Sequence, residues 1–297
     1  MTATGRFAPS PTGPPHFGTL LAALASFLHA RHAGGRWLLR IEDLDPGRAR
    51  PGAADAMLRM LEACGMAWDG EPLYQSRRTE AYRAALDELL RTRAAYACGC
   101  TRRDLQSVEP GVDGPVYPGT CRGGLAPGRS AHSSRLRVDD APLTIGDRVF
   151  GPSTQQLERD VGDFILRRGD GLFAYQLAVV VDDAFQGVTQ IVRGADLLPS
   201  AHRQVFLQGR LGLPTPEYLH IPLALDADGR KLSKSEGAAA LDPKAPAPAL
   251  HAALRFLGQN PPPDLQGDAG ELLAWAVTHW RVAAIPKRSG LVFSSSS

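Results

Sequence analysis

No stretch of this 297-residue chain reaches the ~18 consecutive apolar residues that a membrane-spanning helix needs. Its first residues, MTATGRFAPSPTG, have neither the basic nor the apolar stretch of a secretory signal, so a cytoplasmic protein is expected. A surplus of one charge is also missing: 33 Lys plus Arg against 31 Asp plus Glu leaves +2. Non-specific nucleic-acid affinity comes from surplus cations neutralising phosphates, so a polybasic binder is excluded. Local pairs such as Arg77-Arg78, Arg102-Arg103 and Arg167-Arg168 stay available for phosphates. Cysteine is scarce, with four in the whole chain, too few for a disulfide scaffold. The familiar phosphate loops are absent as well: neither G-x-G-x-x-G after a strand nor G-x-x-x-x-G-K-[ST] occurs. No internal repeat is present, and Ser294 to Ser297 is a low-complexity end without signal.

What is present is an ordinary globular composition, 43% hydrophobic and 22% charged, with length for about two domains. Gly5 to Ala8 reads as a short strand, and the prolines of Pro9 to Pro15 force a loop after it. Leu20, Leu21, Leu24, Phe27 and Leu28 then recur at helical spacing until Gly34-Gly35. Arg36 to Ile41 reads as a buried strand, followed by helices over Ala53 to Cys64 and Thr79 to Arg91. From Cys98 to Asp163 the chain turns rich in Gly, Pro, Ser and Arg, with short strand-like pieces such as Ser134 to Val138, and looks like a small insertion. Alternation then resumes with strands Phe164 to Arg167 and Val188 to Val192 and helices from Ala174 and Ser200. The rhythm predicts a parallel sheet with helices on both faces. The expected architecture is thus an α/β, Rossmann-like domain of residues 1–97 and 164–241, an inserted subdomain of 98–163, and a helical C-terminal region of 242–297. The stretch PKAPAPAL reads as the linker into that region.

Three groups carry chemistry. The Pro-rich loop leads to His16-Phe17-Gly18-Thr19 at a helix start, where backbone N–H groups and the helix dipole hold phosphate and a histidine donates to developing charge. Lys231-Leu232-Ser233-Lys234-Ser235 follows the apolar run Ile221 to Leu225 and a turn, and two lysines there suit a triphosphate. Taken singly, the first reads as a surface histidine at a helix cap and the second as a solvated basic loop. Cys98, Cys100 and Cys121 offer three thiolates to a tetrahedral metal, for which zinc is the natural choice. A segment so poor in core residues needs such a staple, and His132 is the default fourth ligand on chemical grounds.

Co-occurrence decides between the readings. RFAPSPTGPPHFGTL, RWLLRIEDLD, AYQLAVVVDDAFQGVTQIVRGADLL and KLSKSEG, in this order, resemble the glutamyl subgroup of the class I aminoacyl-tRNA synthetases over most of residues 5 to 240. PHFGTL and the short chain look most like the branch that joins glutamate to the queuosine base of tRNA(Asp). The sequence departs from the full HIGH signature in ending it with Thr19, and KLSKS has Leu where the family motif has Met.

The resemblance implies ATP-dependent formation of glutamyl adenylate, with no covalent enzyme intermediate. It implies catalytic roles for His16 and Lys234, and ATP contacts from His16, Gly18, Thr19, Lys231, Ser233, Lys234 and Ser235. It makes Arg6, Phe7, Ala8, Pro9, Ser10, Glu42, Tyr175 and Arg193 the glutamate contacts. Charge agrees: two carboxylates and one ammonium require a guanidinium and an acidic group. It also implies one structural zinc on Cys98, Cys100, Cys121 and, matching the family's tyrosine ligand, Tyr117, with Mg2+ accompanying ATP. The expected partners are ATP, L-glutamate and queuosine-containing tRNA(Asp), and the expected state is a monomer away from membranes. Relatives that charge a tRNA 3′ end carry a further anticodon-binding region, for which little sequence follows KLSKS here.

Overall fold

A computed structural model describes residues 2–112, 114–232 and 244–293. The chain begins β1 (Thr4–Phe7), α1 (Phe17–His32), β2 (Arg36–Ile41), α2 (Ala53–Ala63), β3 (Leu73–Tyr74), α3 (Thr79–Arg91). Then come β4 (Ala95–Cys98), the two-residue β5 (Pro110–Gly111) and β6 (Gly114–Pro115), β7 (Ser133–Leu136), β8 (Pro142–Asp147), β9 (Gly151–Gln156) and α4 (Leu157–Asp160). The second half runs β10 (Ile165–Arg167), α5 (Tyr175–Phe185), β11 (Gln190–Gly194), α6 (Leu198–Leu211), β12 (Glu217–Ile221), β13 (Leu223–Leu225), α7 (Pro246–Phe256), α8 (Ala269–His279) and β14 (Gly290–Val292).

The main sheet has the order β3-β2-β1-β11-β12-β8-β9. All its pairings are parallel except β8 with β9. Strand alternation sends Val192, Leu219 and Ile221 to one face, where they join Trp37, Leu39 and the apolar sides of α1, α2, α7 and α8 in one core. Ile191 and Tyr218 point to the other face, toward α6. Beside them α3, α5 and Leu207 of α6 form a second core. α1 lies so close to β1 that a Cβ on Gly5 would come 2.9 Å from Ala30 Cβ. Trp37 Nε1 donates to Ser26 Oγ at 3.0 Å, so the one polar atom of this large core side chain is satisfied.

Three expectations change. The stretch 98–163 is split: its second half supplies the hairpin β8–β9 at the edge of the main sheet, while β7 joins β4 and β10 in a three-stranded antiparallel sheet. Ile165–Arg167 therefore belongs to that small sheet and not to the parallel one; an apolar run reads the same in either, because periodicity carries no record of the neighbouring strand. The C-terminal region, expected to be helical, also adds a strand: α7 and α8 complete the core over α1, and β14 pairs with β13. The supposed linker holds the start of α7, with proline in its first turn where no N–H is needed. Among the described residues no helix is long and apolar enough to cross a membrane.

Candidate active site

β1 is flanked by β2, reached through α1, and by β11, reached from the other half of the sheet. At such a reversal of strand order the carboxyl ends of the strands open a crevice. Here it is a cavity of about 690 Å³, into which Arg6, Phe7, Ala8, Pro9, Ser10, His16, Gly18, Thr19, Glu42, Tyr175, Arg193 and Lys231 all face. Every described residue expected to touch glutamate or ATP is among them. Ser233, Lys234 and Ser235 lie outside the described residues.

One half of the crevice is built on buried charge. Arg40 of β2, with no exposed side-chain surface, donates from Nη1 to Asp183 Oδ1 at 2.8 Å and from Nη2 to Glu42 Oε1 at 3.3 Å. Arg6 of β1 donates from Nε to the same Asp183 oxygen at 3.1 Å. Burial drives the Asp183 carboxyl upward, but Arg40 and Arg6 outweigh it and hold the pKa below the ordinary value. For Glu42 the balance reverses: burial dominates, Arg40 and Arg6 offset it only in part, and its pKa ends raised. Glu42 therefore has room for one more cation. Sequence reasoning missed Arg40 and Asp183, whose signals were an arginine inside the buried run RWLLRI and an Asp pair inside the apolar helix YQLAVVVDDAF.

Arg193, at the end of β11, donates from Nε to His220 Nε2 at 3.0 Å. Its Nη1 donates to Gln204 Oε1 at 2.8 Å and to the Tyr175 hydroxyl at 3.4 Å, and its Nη2 to the Leu197 carbonyl at 3.2 Å. Among the described residues four of its five N–H groups thus meet protein acceptors, which leaves one on the Nη2 side for a ligand. Tyr175 opens α5, so one helix supplies both Tyr175 and, two turns on, Asp183.

The other half is the start of α1. His16 is the cap residue, with extended backbone (φ −132°, ψ 176°), and its N–H donates to Thr19 Oγ1 at 3.3 Å. Thr19, the departure from the family signature, thereby closes the helix start. A Cβ on Gly18 would fall 3.1 Å from His16 Cε1, so glycine is what lets the ring sit over the first turn. Lys231 Nζ reaches Asp196 Oδ2 at 2.5 Å, and the Leu232 N–H donates to the Ala224 carbonyl at 2.8 Å, which pins the lysine-serine segment to β13 where it begins. Asp196, which also faces the crevice, was not found from sequence.

Away from the crevice, the sulfurs of Cys98, Cys100 and Cys121 lie within 4.8 Å of one another. Tyr117 Oη is 3.4 Å from Cys98 Sγ and 3.5 Å from Cys100 Sγ, and Cys100 Sγ is 3.7 Å from Cys121 Sγ. Tetrahedral zinc with ~2.3 Å bonds to sulfur sets sulfurs ~3.8 Å apart, so the donor set fits the ion in kind and in spacing. His132 is exposed and outside the group. Arg135 lies 3.8 Å over the Tyr117 ring and donates from Nε to Cys98 Sγ at 3.4 Å, a cation beside a thiolate-rich centre. Burial raises the Cys98 thiol, yet the Tyr117 hydroxyl, the Cys100 N–H and Arg135 together bring it down to about 7.

Residues 2–245 match the family model described as tRNA synthetases class I (E and Q), catalytic domain. A glutamyl-Q tRNA(Asp) synthetase of Thiobacillus denitrificans is 56% identical over 284 residues, 95% of this chain and 94% of that protein. A protein of the same name from Dechloromonas aromatica is 54% identical over 289 residues, 96% of each chain. Among solved structures, a glutamate tRNA ligase from Elizabethkingia meningosepticum superposes with a TM-score of 0.83 at 25% identity, covering 99% of this chain and 68% of that one.

Removing one member of a buried ion pair strands the other, so Asp183→Asn is expected to cost about 3–5 kcal/mol of unfolding free energy at pH 7. Because the Asp183 pKa is depressed in the fold, its contribution is present above its unfolded pKa of ~3.9 and disappears as pH falls through the folded value. Urea unfolding of both proteins between neutral and acid pH checks this; a gap that stays constant on acidification contradicts it.

Proposed function

This chain belongs to the class I tRNA synthetases for glutamate and glutamine, and from that membership we propose that it activates L-glutamate with ATP and passes the glutamyl group to the queuosine base in the anticodon of tRNA(Asp). The observation that carries the reading is one crevice with two unlike halves: paired guanidiniums and a cation-seeking carboxylate on one side, a helix start with His16 on the other. The names borne by relatives matched over nearly their whole length supply the acceptor.

Activation forms a bond between a glutamate carboxylate oxygen and the α-phosphorus of ATP and breaks the bond to the β-phosphate oxygen, releasing pyrophosphate. Little covalent chemistry falls to the protein, so catalysis rests on alignment and on charge stabilisation. Glu42 receives the substrate ammonium, and Arg6 and Arg193, with Tyr175, hold its carboxylates; Phe7, Ala8, Pro9 and Ser10 complete the glutamate contacts. The first N–H groups of α1, with Gly18 and Thr19, cradle phosphate, and His16 donates to the charge that builds there. Lys231, Ser233, Lys234 and Ser235 follow the departing pyrophosphate, with Mg2+ on the phosphates. A hydroxyl of the queuosine cyclopentene ring then attacks the adenylate carbonyl, and AMP leaves. Cys98, Cys100, Tyr117 and Cys121 would hold one zinc, which would cross-link the small sheet, and the enzyme works as a cytoplasmic monomer.

Incubation with ATP, labelled glutamate and tRNA(Asp) is expected to place label on the anticodon loop, and only when queuosine is present. Label on the 3′-terminal adenosine, or equal labelling of tRNA lacking queuosine, would instead assign this chain to 3′-end charging.

Glutamate binding needs ionised Glu42, whose free-enzyme pKa is raised, so kcat/KM for glutamate should fall on acidification at a pH above that of ordinary carboxylates. Glu42→Gln should raise the glutamate KM by roughly 10–100-fold and abolish that acid limb, since a charged hydrogen bond is lost. Pyrophosphate exchange across pH reads both; an acid limb surviving in the variant removes Glu42 from ammonium binding.

Elemental analysis of reduced protein is expected to find one zinc per chain. Cys100→Ser should lower thermal stability more than the rate of pyrophosphate exchange, since a structural metal contributes to folding. Metal-free wild-type protein of undiminished stability contradicts this.

A further inference from the structure

We propose that His220 and Asp147 are positioning residues for glutamate recognition: through a two-link hydrogen-bond chain they fix the Arg193 guanidinium toward a substrate carboxylate, which gives the hairpin β8–β9 a hold on the substrate site. The proposal rests on the functional reading above. His220 sits on β12 directly across from Arg193 on β11. Its Nε2 accepts from Arg193 Nε at 3.0 Å, which requires a neutral ring with its proton on Nδ1. That proton goes to Asp147 Oδ2 at 2.7 Å. Asp147 is itself held on both oxygens: Oδ1 accepts the N–H groups of Val149 and Phe150, each at 2.9 Å, and Oδ2 also accepts the His220 N–H at 3.0 Å. A carboxylate surrounded by four donors can only accept, so the imidazole has a single tautomer and presents a lone pair to Arg193.

The surroundings enforce the neutral ring. Both side chains are wholly buried, and Arg193 and Arg6 face the imidazole with positive charge. Neither His220 nor Asp147 reaches the crevice, so they act through Arg193 and not on substrate. A planar guanidinium held at Nε by His220, at Nη1 by Gln204 and Tyr175 and at Nη2 by the Leu197 carbonyl has its plane fixed, and the second Nη2 hydrogen is the one left for a carboxylate.

Two variants separate positioning from bulk support. In His220→Asn the amide still donates to Asp147 but offers no acceptor where Nε2 stood. In His220→Gln the longer side chain brings an amide oxygen to that place. Pyrophosphate exchange, titrated separately with glutamate and with ATP, is expected to show a glutamate KM raised about tenfold for His220→Asn, the equivalent of one well-placed hydrogen bond. The ATP KM is expected to stay near the wild-type value, and His220→Gln to recover most of the loss. In an Arg193→Lys background the His220 substitutions should add nothing further, because the group they act through is gone. An unchanged glutamate KM in both variants, equal rises in both KM values, or effects that multiply with Arg193→Lys would each overturn the proposal. Wild-type protein without glutamate-dependent exchange would overturn the functional reading, and this one with it.

Discussion

Arg40 is buried completely, and a lone guanidinium in that place would cost more than the fold's margin of stability. Its partner Asp183 is shared with Arg6, so one carboxylate of α5 ties together side chains from β1 and β2. An apolar contact could slide without much loss; a charge-assisted bond network at 2.8–3.1 Å cannot. α5, fastened near its C-terminal end by Asp183 and carrying Tyr175 at its start, therefore moves as one unit with the carboxyl ends of β1 and β2, which carry Arg6 and Glu42. The charge balance of that unit also differs between its two carboxylates. Asp183 is satisfied by two arginines and stays ionised, while Glu42 has only a share of Arg40 and is left favouring an added cation.

The other half of the crevice, at the start of α1, depends on a different constraint, the burial of that helix. This helix meets the sheet along β1, β2 and β11 and is covered behind by α7 and α8. Phe293, just after β14, stacks on Phe17 in its first turn with ring centroids 3.8 Å apart. The same β14 pairs with β13, from which the lysine-serine segment leaves. Residues of α7, α8 and β14 thus brace the start of α1 and β13 from outside the crevice, which gives a region with no motif of its own a definite physical task.

How much of this was legible in the sequence follows from the range of the interactions. The β1-loop-α1-β2 unit was readable because proline, helical periodicity and a compact apolar run are local signals, and the residues it delivers to the crevice came with it. The cysteine group was readable because three thiols fall within 24 residues. The hairpin β8–β9 was not, since PLTIGD and GPSTQQ form an edge that is half solvated and lacks a continuous apolar run. Arg40, Asp183, His220 and Asp147 were invisible for another reason: each acquires its meaning from a partner 73 or 143 positions away. A single sequence shows a charged residue at such a place without showing what neutralises it.

The cysteine group bears on the crevice through the small sheet. Cys98 ends β4, which pairs with β7, which pairs with β10, and the chain from β10 runs directly through Phe173 into Tyr175 at the head of α5. Arg168, one residue past β10, donates to Asp45 of the loop after β2 at 2.8 Å, and both residues face the crevice. The region around the thiols has little apolar material of its own: its core cluster consists of Tyr96, Tyr117 and the three cysteines. A core that small holds few kilocalories, so the order of the small sheet leans heavily on whatever ties the thiol group together. The thiols touch nothing in the crevice, yet the sheet they anchor at β4 ends in β10, the strand from which the chain delivers Arg168 and Tyr175. Loss of order at the thiols would therefore reach the crevice through β7 and β10 at the Arg168–Asp45 contact, while the Arg40–Asp183 pair still held α5 to β2.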